Sequence, residues 1–377
     1  MTTEEYWFWL CNIKNIYNEQ IKKILNVFSS PSEVFHAPFE KLKKCNLSEK
    51  EIANIENAKK SLSSINQLEK LSKAGINFIY PEHPLYPEKL KILKDLPYSL
   101  YFKGKLPNSK LPSVAMVGAR ACSEYGKSQS IRFAKSLALE KIQIISGLAH
   151  GIDSICAKSA LEVGGKTFAV LGSGIDVIYP KENIELYYEI ILNDGGIISE
   201  YPLGTPPLAW QFPLRNRLIS GLSDKVLIME ARNRSGTLIT AQYALEQGKD
   251  IYCLPGKITD ALSEGCNKLI SDGAGVLLSP EYFLSDVKKE NILPIDSNSD
   301  ESINYNFSNC DESINYNFRN NDESIIYNLL GSKPMSTEDL LQKTSLSPES
   351  ISTILMDLEI SGLIKEVSKN YYIKFLT

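Results

Sequence analysis

Between residues 111 and 287, short apolar runs alternate with longer amphipathic stretches. The runs are "SVAMVG", "KIQIISG", "KTFAVLG", "GIISE", "KVLIMEA" and "DIYCLPG". Brief, rich in β-branched residues and mostly closed by small ones, they read as strands buried on both faces. Between them lie "GKSQSIRFAKSLALE", "DSICAKSALEVGG", "ELYYEIILN" and "LITAQYALEQGK", whose apolar positions recur at helical spacing. Strand and helix in alternation predict an α/β fold on a mostly parallel sheet, with helices on both faces.

The flanks carry other patterns. Residues 1–65 hold short amphipathic stretches, "QIKKILNVF" and "KEIANIENAKKSL", broken by "SSPSE" and "HAPFEKLKKC". They predict a small helical domain. The α/β domain takes 66–290 and opens with the extended, proline-rich "INFIYPEHPLYPEKLKILKDLPYSLYFKG". At 300, 311 and 322 begin "DESINYNFSNC", "DESINYNFRNN" and "DESIIYNLLGS". Rich in Asn and Ser, this repeat predicts a flexible linker over 291–321, its last copy recruited as a helix. Over 322–377, "STEDLLQKT", "PESISTILMDLEISG", "LIKEV" and "YYIKF" give helix, turn, helix and hairpin, the plan of a winged helix.

A formal net charge of -4 rules out a globally basic polyanion binder, so any nucleic-acid contact must be a local patch. The opening "MTTEEYWFWLCNIKNIYNEQIKK" starts acidic and turns polar, unlike a signal peptide, and no apolar run is long enough for a bilayer. A cytoplasmic location away from membranes is expected. The seven cysteines are scattered without a C-x-x-C pair and only three histidines accompany them, which supports neither a disulfide framework nor a zinc site.

In an open parallel sheet, ligands sit outside the carboxyl ends of the strands. Those ends read Gly118-Ala119-Arg120, Ser146-Gly147, Gly172-Ser173-Gly174, Ser199-Glu200, Glu230-Ala231 and Pro255-Gly256. Glycines let a backbone approach a ligand, and helix starts favour anions; the plain alternative is that each glycine merely ends its strand. Two nucleotide motifs fail. "ACSEYGKS" has Ala121 where a phosphate-binding loop needs its first glycine, and "GSGIDV" has Val177 where a dinucleotide fingerprint needs its third. No cofactor is expected. His150, Asp153, Glu200, Glu230, Ser146 and Ser235 form no evident catalytic set, Asp153 reading as a helix cap and the glutamates as partners for arginines. What remains is Arg120, Lys181, Arg215, Arg217, Arg232 and Arg234, interleaved with Tyr179, Tyr201, Trp210 and Phe212. Two readings fit these equally from spacing alone: phosphate contacts beside a stacking surface, or internal ion pairs.

The segments "VAMVGARACSEYGKS", "IISGLAHGIDSICAKSAL", "GGKTFAVLGSGIDVIYPKEN", "FPLRNRLISGLS", "RSGTLITAQYALEQGKDIYCLPG" and "GCNKLISDGA" together resemble the DNA-processing protein A (DprA/Smf) family. The resemblance covers the whole middle region; the first residues resemble its SAM-like helical domain and the last its winged helix. It implies an extended Rossmann-like fold that binds single-stranded DNA without a cofactor and is not an enzyme. It also implies protection of incoming strands in natural transformation, loading of RecA recombinase, and a homodimer. Carried over motif by motif, the DNA-binding residues are Arg120, Lys181, Arg215, Asn216 and Arg217, with Gly118, Ser146, Gly147, Gly172, Gly174 and Phe212 around them. Two positions depart from the family pattern: Ala157 stands where a histidine is usual, and His150 where Arg or Lys is commoner.

Two other functions compete. A nucleotide hydrolase or sensor of related fold would carry Pro-Gly-Gly-x-Gly-Thr and a following glutamate, of which "NRSGTLITA" keeps only Ser235-Gly236-Thr237. A sequence-specific repressor would read DNA through "PESISTILMDLEISG", yet that helix carries Glu349, Asp357 and Glu359 and no Lys or Arg.

Overall fold

The computed structural model describes residues 1–60, 63–289, 321–330, 335–344, 346–361, 363–368 and 370–374. The chain divides into two compact units, Met1–Glu290 and Asn291–Thr377. Except for position 321, the linker expected over 291–321 lies outside the described residues, as does Cys310.

The first unit opens with helices α1 (Thr3–Cys11), α2 (Asn18–Leu25), α3 (Pro31–His36), α4 (Phe39–Leu42), α5 (Glu49–Lys60) and α6 (Ser63–Lys73). Thr2 and Glu5 close a reciprocal capping box at the start of α1, which fixes where that helix begins. It buries Trp7, Phe8, Trp9 and Leu10, and these pack in one hydrophobic cluster with Tyr101, Leu171 and Ile197 of the sheet. The N-terminal helices therefore share their core with one face of the α/β region. Each such large side chain contributes about 1.5–3 kcal/mol when fully buried.

Next come β1 (Asn77–Ile79), α7 (Glu88–Lys91), β2 (Leu100–Gly104), β3 (Ser113–Val117), α8 (Glu124–Leu139), β4 (Gln143–Ser146), α9 (Ile152–Leu161) and β5 (Thr167–Leu171). They are followed by α10 (Ile184–Leu192), β6 (Gly196–Ser199), α11 (Gln211–Gly221), β7 (Lys225–Ile228), α12 (Gly236–Glu246), β8 (Asp250–Cys253), α13 (Glu264–Ser271), β9 (Gly275–Val276) and α14 (Pro280–Lys289). The strands form one sheet in the order β1-β2-β6-β5-β4-β3-β7-β8-β9. From β6 to β9 all pairs are parallel, and β1 and β2 add an antiparallel edge. The α/β fold is as the alternation predicts, and the proline-rich opening supplies the edge strands.

Strand order also locates the site. The chain lays β3, β4, β5 and β6 outward in one direction, then returns so that β7 pairs with the other side of β3. At that reversal the loops after β3 and β7 diverge to opposite faces and leave a crevice at the strand carboxyl ends.

The second unit holds α15 (Asn321–Leu329), β10 (Met335–Ser336), α16 (Thr337–Lys343), α17 (Pro348–Ile360), β11 (Ile364–Ser368) and β12 (Tyr371–Lys374). Ser347 caps α17, with Pro348 in its first turn, and β11 and β12 pair antiparallel as the wing. Among the described residues, no helix is long and apolar enough to cross a membrane and no group of His, Cys, Asp and Glu could hold a metal ion.

Candidate functional site

A hollow of about 450 Å³ opens at the switch point, between the ends of β3 and β7 and the first turns of α11 and α12. It brings together Gly118, Arg120, Phe212, Arg215 and Asn216 of the residues singled out in the sequence. Phe212, Arg215 and Asn216 belong to α11, an element the apolar spacing does not announce.

Arg120 follows β3, is exposed, and makes no ion pair among the described residues. Its guanidinium carbon lies 5.4 Å from the centre of the Phe212 ring, and that of Arg215 lies 5.9 Å from the same ring. One aromatic ring thus serves two cations, a favourable arrangement for a ring quadrupole. Arg215 itself is 4% exposed. Its Nη1 donates to the carbonyl of Gly147 at 2.9 Å and to that of Val170, and its Nε donates to Asn216 Oδ1 at 3.2 Å. Asn216 in turn donates to the carbonyl of Gly236 at 3.2 Å, tying α11 to the start of α12.

Burial lowers the Arg215 pKa to about 10, with nearby Arg120 pushing the same way and Asp153 resisting. The group stays charged at neutral pH. Burial raises the Asp153 carboxyl pKa against the pull of Arg215 and of two amides. Asp153 does not cap its own helix. It accepts from the amides of Gly147 at 3.1 Å and Ala149 at 3.4 Å, and so clamps the loop after β4.

The glycines have a different task from the one the sequence suggested. A Cβ on Gly147 would meet Arg215 Nη2 and Asp153 Oδ2, both at 2.6 Å, and one on Gly172 would meet the Phe212 ring at 2.9 Å. Gly118 leaves room for Ile152, and Gly174 for the carbonyl of Pro202. Gly147 and Gly172 are small so that Arg215 and Phe212 can pack, and the backbone at Gly147, Gly172 and Gly174 is covered by the protein's own atoms, while Gly118 still lines the hollow. Ser146 is likewise internal, its hydroxyl donating to the Met116 carbonyl at 2.7 Å.

Arg217 needs a larger correction. On a helix, residues two apart point about 200° from each other, so Arg217 leaves the side that Arg215 occupies. Its Nε donates to Asp95 at 3.1 Å and its Nη2 to Glu200 at 2.5 Å. Burial alone would lower its pKa, but the charges and hydrogen bonds of Glu200 and Asp95 outweigh that and hold it above the ordinary value. Of the two open readings, internal ion pairing describes Arg217.

Lys181 does not line the hollow. It begins the turn Lys181–Asn183 just after a cis Tyr179–Pro180 bond, and the Tyr179 ring lies 5.5 Å from that of Phe212. Lys181 is exposed beside an exposed pair formed by His150 and Glu182, 3.6 Å apart. Ala157, the other departure, is buried in the hydrophobic cluster beneath the sheet. Among the described residues Glu230 pairs with no arginine: its carboxylate accepts from the Ser123 amide at 2.9 Å and from the Ser123 hydroxyl. That puts a negative charge at the start of α8, where a phosphate-binding loop would need its anion.

Ser235, Gly236 and Thr237 also line the hollow, along with Arg232. They begin α12, and the Ser235 hydroxyl makes no cap bond and, among the described residues, has no hydrogen-bond partner in its buried position. A helix start with free amides, beside exposed Arg232 and Arg120, suits an anion. The signal for these residues is the Ser-Gly-Thr step before an amphipathic stretch, visible in the sequence only as the remnant of a different motif.

Comparison with known proteins shows the family. Residues 77–288 match the family described as DNA recombination-mediator protein A, and residues 319–368 match the DprA winged helix domain. The chain is 45% identical over 201 residues to the DNA processing protein DprA of Streptococcus pneumoniae, covering 53% of this chain and 71% of that one. It is 36% identical over 289 residues to the protein Smf of Escherichia coli, covering 76% of each. The crystal structure of the pneumococcal protein superposes with a TM-score of 0.63 at 35% identity, over 76% of this chain and 98% of that one. DNA processing protein A of Helicobacter pylori, whose solved structure concerns its single-stranded DNA binding mode, superposes at 0.51 with 32% identity over 57% of this chain and 97% of that one. The chain belongs to the DNA recombination-mediator protein A family, and its second unit is a winged helix of the DprA type.

Proposed function

We propose that the chain binds single-stranded DNA at the strand-end hollow, as the Helicobacter pylori relative's binding mode suggests. One observation carries the reading: an exposed guanidinium without an ion-pair partner, Arg120, stands over a half-buried aromatic ring, Phe212, at the switch-point crevice. A single strand offers phosphates and unstacked bases, and these two groups answer to both. Arg120 and Lys181 take phosphates, the first turn of α12 adds amide donors, and Phe212 with Tyr179 stacks bases. Arg215 acts from behind the ring, holding Phe212 and adding its charge to the field. Duplex DNA fits less well because its bases are already stacked.

Binding is favoured over catalysis. Among the described residues lining the hollow, Asp153 is the one acid, and its carboxylate already accepts two amides. A hydrolase reading finds no carboxylate there free to act as a base, and no nucleotide cofactor is invoked. Family membership extends the proposal: the protein shields incoming strands in the cytoplasm during natural transformation, loads RecA recombinase onto them, and works as a homodimer. Light scattering of the purified chain tests the dimer. A strand-exchange assay blocked by single-strand-binding protein tests the loading.

The central test is fluorescence anisotropy of a labelled oligonucleotide across a salt series. Because Arg215 and Arg217 are buried, the variant to use is Arg120→Ala with Lys181→Ala, both exposed. Each lost phosphate contact should lower the salt slope by about 0.7 and weaken binding, with the melting temperature unchanged. A wild type that ignores single strands, or a double variant with an unchanged slope, would refute the proposal.

A further inference from the structure

The segment 208–217 has a second hollow on its other side, of about 590 Å³, bounded by Arg217, Glu200 and the turn between α1 and α2. Four exposed large side chains line it: Tyr17 at 58%, Trp210 at 50%, Leu208 at 43% and Leu214 at 41%. Exposed apolar surface gathered in one concavity marks an interaction site. The Trp210 ring meets Tyr201 edge to face, with centroids 6.4 Å apart and planes at 84°, so one neighbour steadies it while half of its surface stays open.

Charge decides what can occupy this hollow. Its lining carries Lys14 and Arg217 against Glu19, Asp95 and Glu200, and Arg217 is already neutralised by two of those acids. Glu200 also accepts from Asn18 at 2.5 Å. A phosphate would meet Lys14 alone, the one lining cation that makes no ion pair among the described residues, against three acids. A flat, neutral heterocycle meets aromatic faces on Tyr17 and Trp210 instead. The wall common to both hollows is one helix start: Ala209 and Phe212 face the strand-end hollow, while Trp210 and Gln211 face this one.

We propose that the single strand crosses this ridge and that unstacked bases enter the second hollow, stacking on Trp210 with Tyr17 as the opposite wall. The inference rests on the strand-end reading above, and extends the strand's path from a phosphate-gripping pocket to a base-holding one. A strand long enough to cross the ridge gains stacking there, and a strand filling only the first hollow does not.

The chain supplies its own reporter. Of its three tryptophans, Trp7 and Trp9 are each 2% exposed, so a change in indole emission on binding reports Trp210. The full-length protein is titrated with labelled oligothymidylates of about 4 and about 20 nucleotides, reading anisotropy and tryptophan emission together. The long strand should quench the emission in step with its anisotropy. Trp210→Leu should weaken the long strand by about five- to a hundredfold while leaving the short one unchanged, and Trp210→Phe should restore affinity without the signal. Tyr17→Ser should weaken the long strand through a second, independent surface position. Tight binding with unchanged emission, and with Trp210→Leu indistinguishable from wild type, would overturn the inference and leave the strand-end site standing. Absence of any anisotropy change would overturn both. If thymidine monophosphate alone quenched to the same depth at the same concentration, the hollow would hold a loose nucleotide and the strand path would be wrong.

Discussion

Arg215 and Arg217 stand two residues apart on one helix, both about 4% exposed, and their circumstances are opposite. Arg215 meets backbone carbonyls, a single buried acid and the edge of a hollow that also holds exposed Arg120 and Arg232. Arg217 meets two carboxylates and lines a hollow with more acids than cations. A cation's availability to a ligand is thus set by what already neutralises it. The Arg-Asn-Arg signature combines one residue that shapes a positive site with one that locks the scaffold behind it.

The largest effect should come from breaking that lock. Arg217→Ala leaves Glu200, with its side chain 10% exposed, without its ion-pair partner. We expect a loss of about 3–5 kcal/mol in urea unfolding, most of it from Glu200 because Asp95 is largely in water. In conditions where the variant stays folded, the salt slope of DNA binding should match wild type. A stable variant with a reduced slope would invert the comparison and make Arg217 the phosphate ligand.

Next in size is Phe212→Ala, which removes the ring shared by Arg120 and Arg215. Stacking on an aromatic side chain is worth about 1–3 kcal/mol per base, so affinity should fall by that amount while the salt slope persists. A fall in slope instead would mean that the ring serves mainly to hold the two guanidinium groups over the strand.

How far the sequence reaches is clearest along this same helix. The strands of the α/β region are legible because each is a short apolar run, fully buried in β3, β4, β5 and β7. Helices with one wet face, such as α8 and α12, are legible by their spacing. Helix α11 is not, because it buries Gln211, Arg215 and Arg217 as well as Leu218 and Ile219, so polar residues occupy inward positions and the helical period is blurred. The residue types of the site were visible, but their partners were not. Asp95, which neutralises Arg217, lies 122 residues away in the proline-rich opening. No local spacing rule connects the two.

A smaller, reversible change on the Arg215 side comes from pH. With its carboxyl pKa raised by burial, folded Asp153 takes up a proton at higher pH than in the unfolded chain, where the value is about 3.9. Its contribution to stability is therefore fully present below that unfolded value and is lost as pH rises through the folded one. Over the same window, acidification removes the negative charge opposing Arg215. Single-strand affinity at constant ionic strength should rise severalfold as pH falls into it, and Asp153→Asn should abolish that step. A wild type and a variant with parallel profiles would show that Asp153 does not tune the hollow.

The smallest effect should come from removing the winged helix, which extends the comparison to a surface with no cation on its leading helix. In α17 the buried side is Ile351, Ile354, Leu355 and Leu358, while Glu349 and Glu359 are exposed with Met356 and Ile360. A groove-reading helix must approach phosphates closely, and this one presents carboxylates to them. A chain ending at residue 290, where the first compact unit ends, should bind a single strand within about twofold of the full chain and with the same salt slope. If truncation removed binding while the first unit stayed folded by circular dichroism, sign of charge would be a poor guide in this protein. The uncompensated cation at Arg120 would then be insufficient to hold a strand by itself, and the contrast between the two sides of α11 would lose its functional meaning.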